Sequence, residues 1–107
     1  MAKLGTSAFR PGIPTRPDYV NACVLVATTA KQHTVPAGMA YAYLAAEMPV
    51  FVAWGANPTA AIPGADVTDG TSSVLMVRDM WLPCSDVAKI SLIARIAGVV
   101  TITFYAP

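Results

Sequence analysis

One histidine and two cysteines carry the side chains best suited to nucleophilic chemistry in this chain of 107 residues. A thiolate is a nucleophile and a nearby imidazole can act as its base, so His33 could activate Cys23 or Cys84. Neither cysteine lies in a local signature of a catalytic thiol, and the two are too far apart for a recognisable zinc motif. We therefore expect two buried free thiols, not bonded to each other, and a surface histidine near a turn.

The carboxylates give no stronger sign of catalysis. None of the six acidic residues pairs with another in a motif that performs acid–base chemistry. Asp66 and Asp69 lie three residues apart and could supply two ligands to a calcium ion, but the other ligands of a calcium loop are missing. A turn capped by an aspartate side chain is the expected structure there. Since a phosphate-binding glycine loop is also lacking, we predict no enzymatic activity, no metal and no cofactor.

Four aromatic residues on predicted strands are candidates for a binding surface: Tyr41, Tyr43, Trp54 and Trp81. Such rings can stack on sugars or bases, but on short strands they more often fill a core or an interface. The basic residues are dispersed and the formal net charge is only +1, which disfavours nucleic acid as a partner. We predict that the four rings contribute to a protein interface. The alternative is a carbohydrate-binding module with the rings exposed as a platform.

The composition is unusual for a small protein that works alone. Hydrophobic residues make up 55% of the chain and charged residues only 12%, against roughly 25% charged in typical domains. Part of the surface must then be apolar, and large apolar patches usually meet a partner. We expect a permanent homo-oligomer. The most apolar stretch, 39–56, is interrupted by Glu47 and Pro49, so no membrane partner is expected, and the N-terminal residues lack the apolar segment of a secretion signal.

The first 18 residues differ from the rest of the chain. Pro11, Pro14 and Pro17 exclude a central strand or a helix interior, because proline lacks the backbone N–H that both structures need. We predict an extended arm over residues 1–18 and one domain over residues 19–107. The arm either orders against a neighbouring subunit or is a frayed terminus. In the first case its contacts come from apolar and basic side chains: Leu4, Phe9, Arg10, Ile13 and Arg16.

Short runs of β-branched and aromatic residues, separated by proline and glycine turn signals, predict six or seven strands. The last stretch, 87–105, shows the pattern best, because Val100, Ile102 and Phe104 alternate with polar or half-polar residues. We predict a hairpin in this stretch that turns at Gly98, whose lack of a side chain permits a positive φ. The fold class is an all-β antiparallel sandwich of the jelly-roll type.

The segment 51–60, Phe-Val-Ala-Trp-Gly-Ala-Asn-Pro-Thr-Ala, resembles a segment of small β-sandwich proteins encoded among the virion genes of tailed bacteriophages. A turn-rich loop, a strand near 73–77 and a terminal pair of strands follow it in both. The resemblance covers residues 23–105 and leaves out the arm. It implies a virion structural protein: a capsid decoration (cement) protein, a head fibre or a connector accessory. Its partners would be copies of itself and major capsid or connector proteins, and its location the virion.

Overall fold

The computed structural model describes residues 17–107, which form an all-β fold without a helix. The described chain contains eight strands in two antiparallel four-stranded sheets, which confirms the predicted β-sandwich. In chain order, the strands are β1 (Tyr19–Leu25), β2 (Lys31–Thr34), β3 (Tyr41–Ala46), β4 (Val50–Gly55), β5 (Val74–Met76), β6 (Asp79–Pro83), β7 (Lys89–Ala94) and β8 (Gly98–Tyr105).

The chain changes sheet between successive strands everywhere except from β4 to β5, which both lie in sheet B. Sheet A has the strand order β1-β8-β3-β6 and sheet B the order β2-β7-β4-β5, with every neighbouring pair antiparallel. The first and last described strands are therefore neighbours, and each successive strand pairs with one from the opposite end of the chain. Apart from β4–β5, no two strands that follow one another directly in the chain are paired.

The core lies between the sheets and follows from the period of two along each strand. Val100, Ile102 and Phe104 point into it from β8, as the alternation predicts. Burying a side chain of this size stabilises the folded state by about 1.5–3 kcal/mol. The other fully buried side chains with large volumes are Leu25, Leu44, Val50, Val52, Ile90 and Leu92.

The predicted C-terminal hairpin is wrong. Although both of its strands form, β7 pairs with β2 and β4 in sheet B, whereas β8 pairs with β1 and β3 in sheet A. Residues 95–97 cross from one sheet to the other. Alternation specifies which face of a strand is buried, and both strands satisfy it by facing the core from opposite sides; it does not specify the neighbouring strand.

Gly98 lies against the side chain of Met48 and does not have a positive φ. It is not among the described glycines with positive φ. A Cβ built on Gly98 would overlap Sδ of Met48 and lie 2.9 Å from its Cε. The prediction that this glycine makes a reversal by adopting positive φ is therefore wrong, and its role is to let the start of β8 approach Met48 closely.

The long loop 56–73 lies over the central part of the outer face of sheet B, at β7. The backbone N–H of Ala60 donates to Oγ of Ser91 at 2.9 Å, and both residues are buried. Nε2 of Gln32 on β2 donates to Oδ1 of Asn57 at 3.0 Å, which fixes the start of the loop. Ile93, on the same side of β7 as Ser91, is buried as well. The loop thus covers the middle of this face, while Leu75 on β5 stays exposed on the same face.

Candidate interaction surface

The outer face of sheet A is built from the residues that alternate with the core residues of its four strands. All of them are exposed or half-buried, with Val20 62% and Trp81 53% exposed. We call this set the sheet A face. Its members are Val20, Ala22, Val24, Tyr41, Tyr43, Ala45, Asp79, Trp81, Pro83, Val99, Thr101, Thr103 and Tyr105.

The strand register arranges this face in rows. One row runs across all four strands, because Val20 is opposite Thr103, Thr103 is opposite Tyr43, and Tyr43 is opposite Trp81. Cross-strand neighbours of this kind have Cβ atoms about 5 Å apart and contact each other directly. Asp79 is the only charged member of the face as defined. The surface is therefore apolar and aromatic with a few hydroxyl groups.

An aromatic cluster forms one side of the sheet A face. The ring centroids of Tyr43 and Trp81 lie 4.8 Å apart with planes inclined by 46°. Trp81 and Tyr105 lie 5.5 Å apart at 39°. Both separations are typical of stabilising aromatic pairs. Tyr41 is opposite Tyr105 in the register, so three of the four aromatic residues predicted as interface residues share this face.

The structure separates Trp54 from the other predicted aromatic residues. Trp54 lies on β4 in sheet B, opposite Ile90 of β7. Because the side chain of Ile90 is buried between the sheets, Trp54 is on that same side at the end of the sandwich, where it is 40% exposed. Sequence reasoning missed Tyr105 as the remaining member of the cluster. The alternation of Thr103 and Tyr105 with core residues was the signal for it.

The one carboxylate of the sheet A face is hydrogen-bonded within the face. The Tyr43 hydroxyl donates a hydrogen bond to Oδ2 of Asp79. This bond favours the neutral phenol over the phenolate and raises the pKa of Tyr43. The charge therefore lies at the β6 margin with a polar partner, and the rest of the face is left for apolar contact.

The arm residues predicted as contacts, Leu4, Phe9, Arg10, Ile13 and Arg16, lie outside the described residues. The structure does show where the described chain enters sheet A. The N–H of Asp18 donates to the carbonyl oxygen of Phe104 at 2.8 Å, and Oδ2 of Asp18 accepts from the N–H of Ala106 at 2.8 Å. The last residue of the predicted arm is thus bonded to the sandwich next to β8.

The residues considered for nucleophilic chemistry do not form a site. Both cysteines are free and buried, as predicted, and burial raises the pKa of each thiol, which disfavours the reactive thiolate. Sγ of Cys84 contacts the carbonyl oxygen of Met39 at 3.8 Å. His33 lies on β2 and is half-buried; the prediction of a surface histidine is wrong because its ring points towards the core side, opposite Ile90.

Asp69, one of the two acidic residues considered as calcium ligands, has a structural role. Oδ1 of Asp69 accepts hydrogen bonds from the N–H of Thr71 at 3.1 Å and from its hydroxyl at 2.6 Å, so the expected aspartate-capped turn is confirmed. These bonds lower the pKa of Asp69. Within residues 17–107, no three histidine, cysteine, aspartate or glutamate side chains are placed to hold a metal ion.

Comparisons with protein-family models, with curated proteins and with solved structures found no match to this chain. No helix able to cross a membrane is present in the described part of the chain. The geometry of the chain's own residues, above all that of the sheet A face, is therefore the observation that bears on function.

Proposed function

We propose that the protein is a structural component of a tailed-phage particle, of the capsid decoration, head-fibre or connector accessory type. It acts by homo-oligomeric adhesion to neighbouring virion proteins. The observation that carries this proposal is the sheet A face, an exposed surface with valine, threonine and aromatic side chains and a single carboxylate at its margin. Such a surface on a small domain is suited to a partner and poorly suited to water.

The strand order supports a jelly-roll fold, which we include in the proposal. β1 pairs with β8, β2 with β7, β3 with β6 and β4 with β5, so the strands form nested antiparallel pairs divided between two sheets. Eight strands wound in this way are typical of viral capsid domains and of lectins. A rigid sandwich of this kind presents a broad sheet face to a neighbour at little entropic cost.

The segment that resembles phage virion proteins, 51–60, has a structural role here. It spans most of β4 and the first part of the loop that covers sheet B, including Asn57 and the buried Ala60. The resemblance thus concerns the closed side of the sandwich. It supports a protein that leaves sheet A free for a partner.

Adhesion through one modest face becomes strong when many copies act together. Burying a valine or a leucine in a contact contributes about 1.5–3 kcal/mol, and association costs several kcal/mol in lost freedom of motion. A symmetric shell repeats the contact in many copies, so a weak pairwise contact still gives firm attachment. No chemical step is needed.

Two tryptophans provide a matched test of the proposal. Trp81→Ser removes the largest ring of the sheet A face, whereas Trp54→Ser removes a ring of similar exposure outside it. We expect the first variant to fold but to lose attachment to particles in co-sedimentation with purified virions, and the second to attach as the unchanged protein does. Equal attachment of both variants, or no protein in purified virions by mass spectrometry, would contradict the proposal.

A carbohydrate-binding module is the alternative, and the exposed cluster of Tyr43, Trp81 and Tyr105 is the observation that favours it. The apolar face of a sugar ring stacks best on a coplanar platform, but these neighbouring rings are inclined by 46° and 39°. A glycan array decides between the two. Binding of a defined glycan that Trp81→Ser abolishes would replace the adhesion proposal.

A further inference from the structure

β1 is a long strand at the edge of sheet A, and no other strand of residues 17–107 pairs with its outer side. Its sequence, Tyr-Val-Asn-Ala-Cys-Val-Leu, contains no charge, no proline and no glycine. A free edge of this kind is a template for another extended chain, because its backbone N–H and C=O groups are available for pairing.

The other three edge strands carry the features that prevent such pairing. β2 has four residues, among them Lys31 and Gln32, and β5 has only three. β6 begins with Asp79 and ends with Pro83. Charges, proline and short length are the usual ways in which proteins protect sheet edges. β1 is the exception among the four.

The hydrogen bonds of β8 determine which groups of β1 point outward. Val99 exchanges bonds with Glu47: the N–H of Glu47 donates to the Val99 carbonyl at 3.3 Å, and the N–H of Val99 donates to Oε1 of Glu47 at 2.9 Å. The backbone groups of Val99 thus point away from β1. Since the backbone groups of successive strand residues point to opposite sides, those of Val100 and Ile102 point towards β1.

The register then assigns the groups of β1. Cys23 is opposite Val100 and Asn21 is opposite Ile102, so the backbone groups of Asn21 and Cys23 bond inside the sheet. Those of Val20, Ala22 and Val24 point to the free edge. Nζ of Lys31 supports this assignment, since it donates to the carbonyl oxygen of Val24 at 3.0 Å from the neighbouring sheet. Lys31 blocks only this end of the edge.

The unblocked end of β1 is exposed on both of its side-chain faces. Tyr19 and Asn21 are on the side of the strand that faces the core further along, at Cys23, yet both are exposed. Val20 and Ala22 are exposed on the sheet A face. Four consecutive residues therefore present both side-chain faces and a free backbone edge to the surroundings.

We propose that a second copy of this chain pairs with this edge, β1 against β1, antiparallel, about a two-fold axis at Asn21. The N–H and C=O of Val20 bond those of Ala22 in the other copy, and the same bonds recur by symmetry. This register leaves the Lys31-capped carbonyl of Val24 out of the ladder. The inference rests on the homo-oligomer of the proposed function but not on the virion assignment.

A second copy fits this edge better than residues 1–16 of the same chain. Within that segment Pro11 and Pro14 lack the N–H that a paired strand must offer, and Lys3, Arg10 and Arg16 add charge. β1 itself is uncharged, so two copies approach without repulsion. The pairing would join two four-stranded sheets into one continuous sheet of eight strands, with the sheet A faces of both copies side by side.

A cysteine placed at the proposed axis tests the register. In the pair, the two Asn21 side chains face each other with Cβ atoms about 5 Å apart, within reach of a disulfide after small movement. Asn21→Cys should give a covalent dimer under mild oxidation, with tandem mass spectrometry locating both ends of the link at position 21. Val24→Cys is the control, because its two copies would lie about 20 Å apart and should not link. Linking of both variants, or of neither, would overturn the register.

A proline at the free edge tests the hydrogen bonds. Ala22→Pro removes an N–H that makes no bond inside sheet A, so the monomer should fold while the dimer dissociation constant rises by at least about tenfold. Ala22→Ser, which keeps the N–H, should dimerise normally. Hydrogen exchange at the Val20 and Ala22 amides should slow as the protein concentration rises.

Three outcomes are distinguishable. Concentration-independent protection of the two amides that disappears when residues 1–16 are removed would mean that the chain's own arm covers the edge, and the pairing would be wrong. An oligomer unaffected by Ala22→Pro would place the contact elsewhere and leave the proposed function standing. A monomer at all concentrations would contradict both.

Discussion

At the scale of single residues, the last strand offers a direct test of the alternation. Ile102 is fully buried, and its neighbour Thr103 lies on the sheet A face. Ile102→Asp would place an unpaired carboxylate in the core, and we expect it to lower the free energy of unfolding by more than about 4 kcal/mol. Thr103→Asp should change it by about 1 kcal/mol or less. Urea denaturation measures both, and similar losses would mean that both faces of β8 are covered.

Two glycine-to-alanine substitutions separate the destabilisation caused by steric overlap from the effect of a less flexible backbone. Gly98→Ala forces a Cβ against Sδ and Cε at the flexible end of the buried Met48 side chain, which must then shift. If the surrounding core does not let it shift, overpacking of this kind costs about 1–3 kcal/mol. Gly64→Ala is the control, because its Cβ would meet nothing within 4 Å. Thermal unfolding should show a lower midpoint for the first variant and an unchanged or slightly higher one for the second. A neutral Gly98→Ala would mean that Met48 moves freely.

His33 makes the stability depend on pH. Nε2 of His33 is buried and has no hydrogen-bond partner in the described part of the chain. Burial, with a smaller contribution from Lys31, lowers its pKa below the usual 6.5. The unfolded chain then binds the proton more readily, so stability is full above pH 6.5 and is lost as pH falls from there through the folded pKa.

The measurement compares the slope of stability against pH in the unchanged protein and in His33→Leu. Between about pH 7 and pH 5.5 the free energy of unfolding should fall in the former and stay level in the latter. The slope is compared, not the absolute value, because the leucine also changes packing. An equal slope in both proteins would assign the effect to other groups.

At the scale of the elements, the chain's local pattern predicts more than its pairing does. Proline and glycine signals delimit β4 and the loop after it, and the β-branched run at the end of the chain predicts β8 with its core residues. The local pattern does not predict which strand pairs with which. The sequences of Lys89–Ala94 and Gly98–Tyr105 fit the two strands of a hairpin, yet these strands lie in different sheets. Which strand each one pairs with depends on contacts with β1 to β4, and no short stretch of sequence contains that information.

The residues of the sheet A face were likewise predictable only as far as the local pattern reaches. Tyr41, Tyr43 and Trp81 were identified by type, and the alternation places them on one side of their strands. That Trp54 lies in the other sheet follows only from the topology. Ile93 and Ser91 show the reverse case: the alternation puts them on an outer face, yet both are buried, Ser91 with the loop residue Ala60 bonded to it.

At the scale of the whole molecule, the outer faces of the two sheets differ in how far they are covered. The middle of sheet B is covered by the chain's own loop. Sheet A presents an apolar face and the edge of β1, with which no other strand of residues 17–107 pairs. We expect the protein to be an oligomer at micromolar concentration, because burial of these surfaces offsets the cost of association. Light scattering decides; a stable monomer of about 11.2 kDa would contradict this expectation.

Removal of residues 1–16 tests the predicted arm without touching the sandwich. The deletion keeps Asp18, whose bonds to Phe104 and Ala106 hold the start of β1. We expect thermal unfolding and the circular dichroism of the monomer to stay nearly unchanged, and attachment to particles or resistance to dilution to decrease. Failure to fold would assign the arm to the core, and normal assembly would make it a frayed end.

The hydrogen bond between Asp18 and Ala106 has a consequence for the order of the chain. It places residue 18 and residue 106 side by side, so a short linker could join residue 107 to residue 17 without crossing the sandwich. New ends could then be opened in the exposed part of the loop 56–73, near Gly64–Gly70. The eight strands would keep their neighbours while their order of synthesis changed, and a circularly permuted chain should reach the same fold.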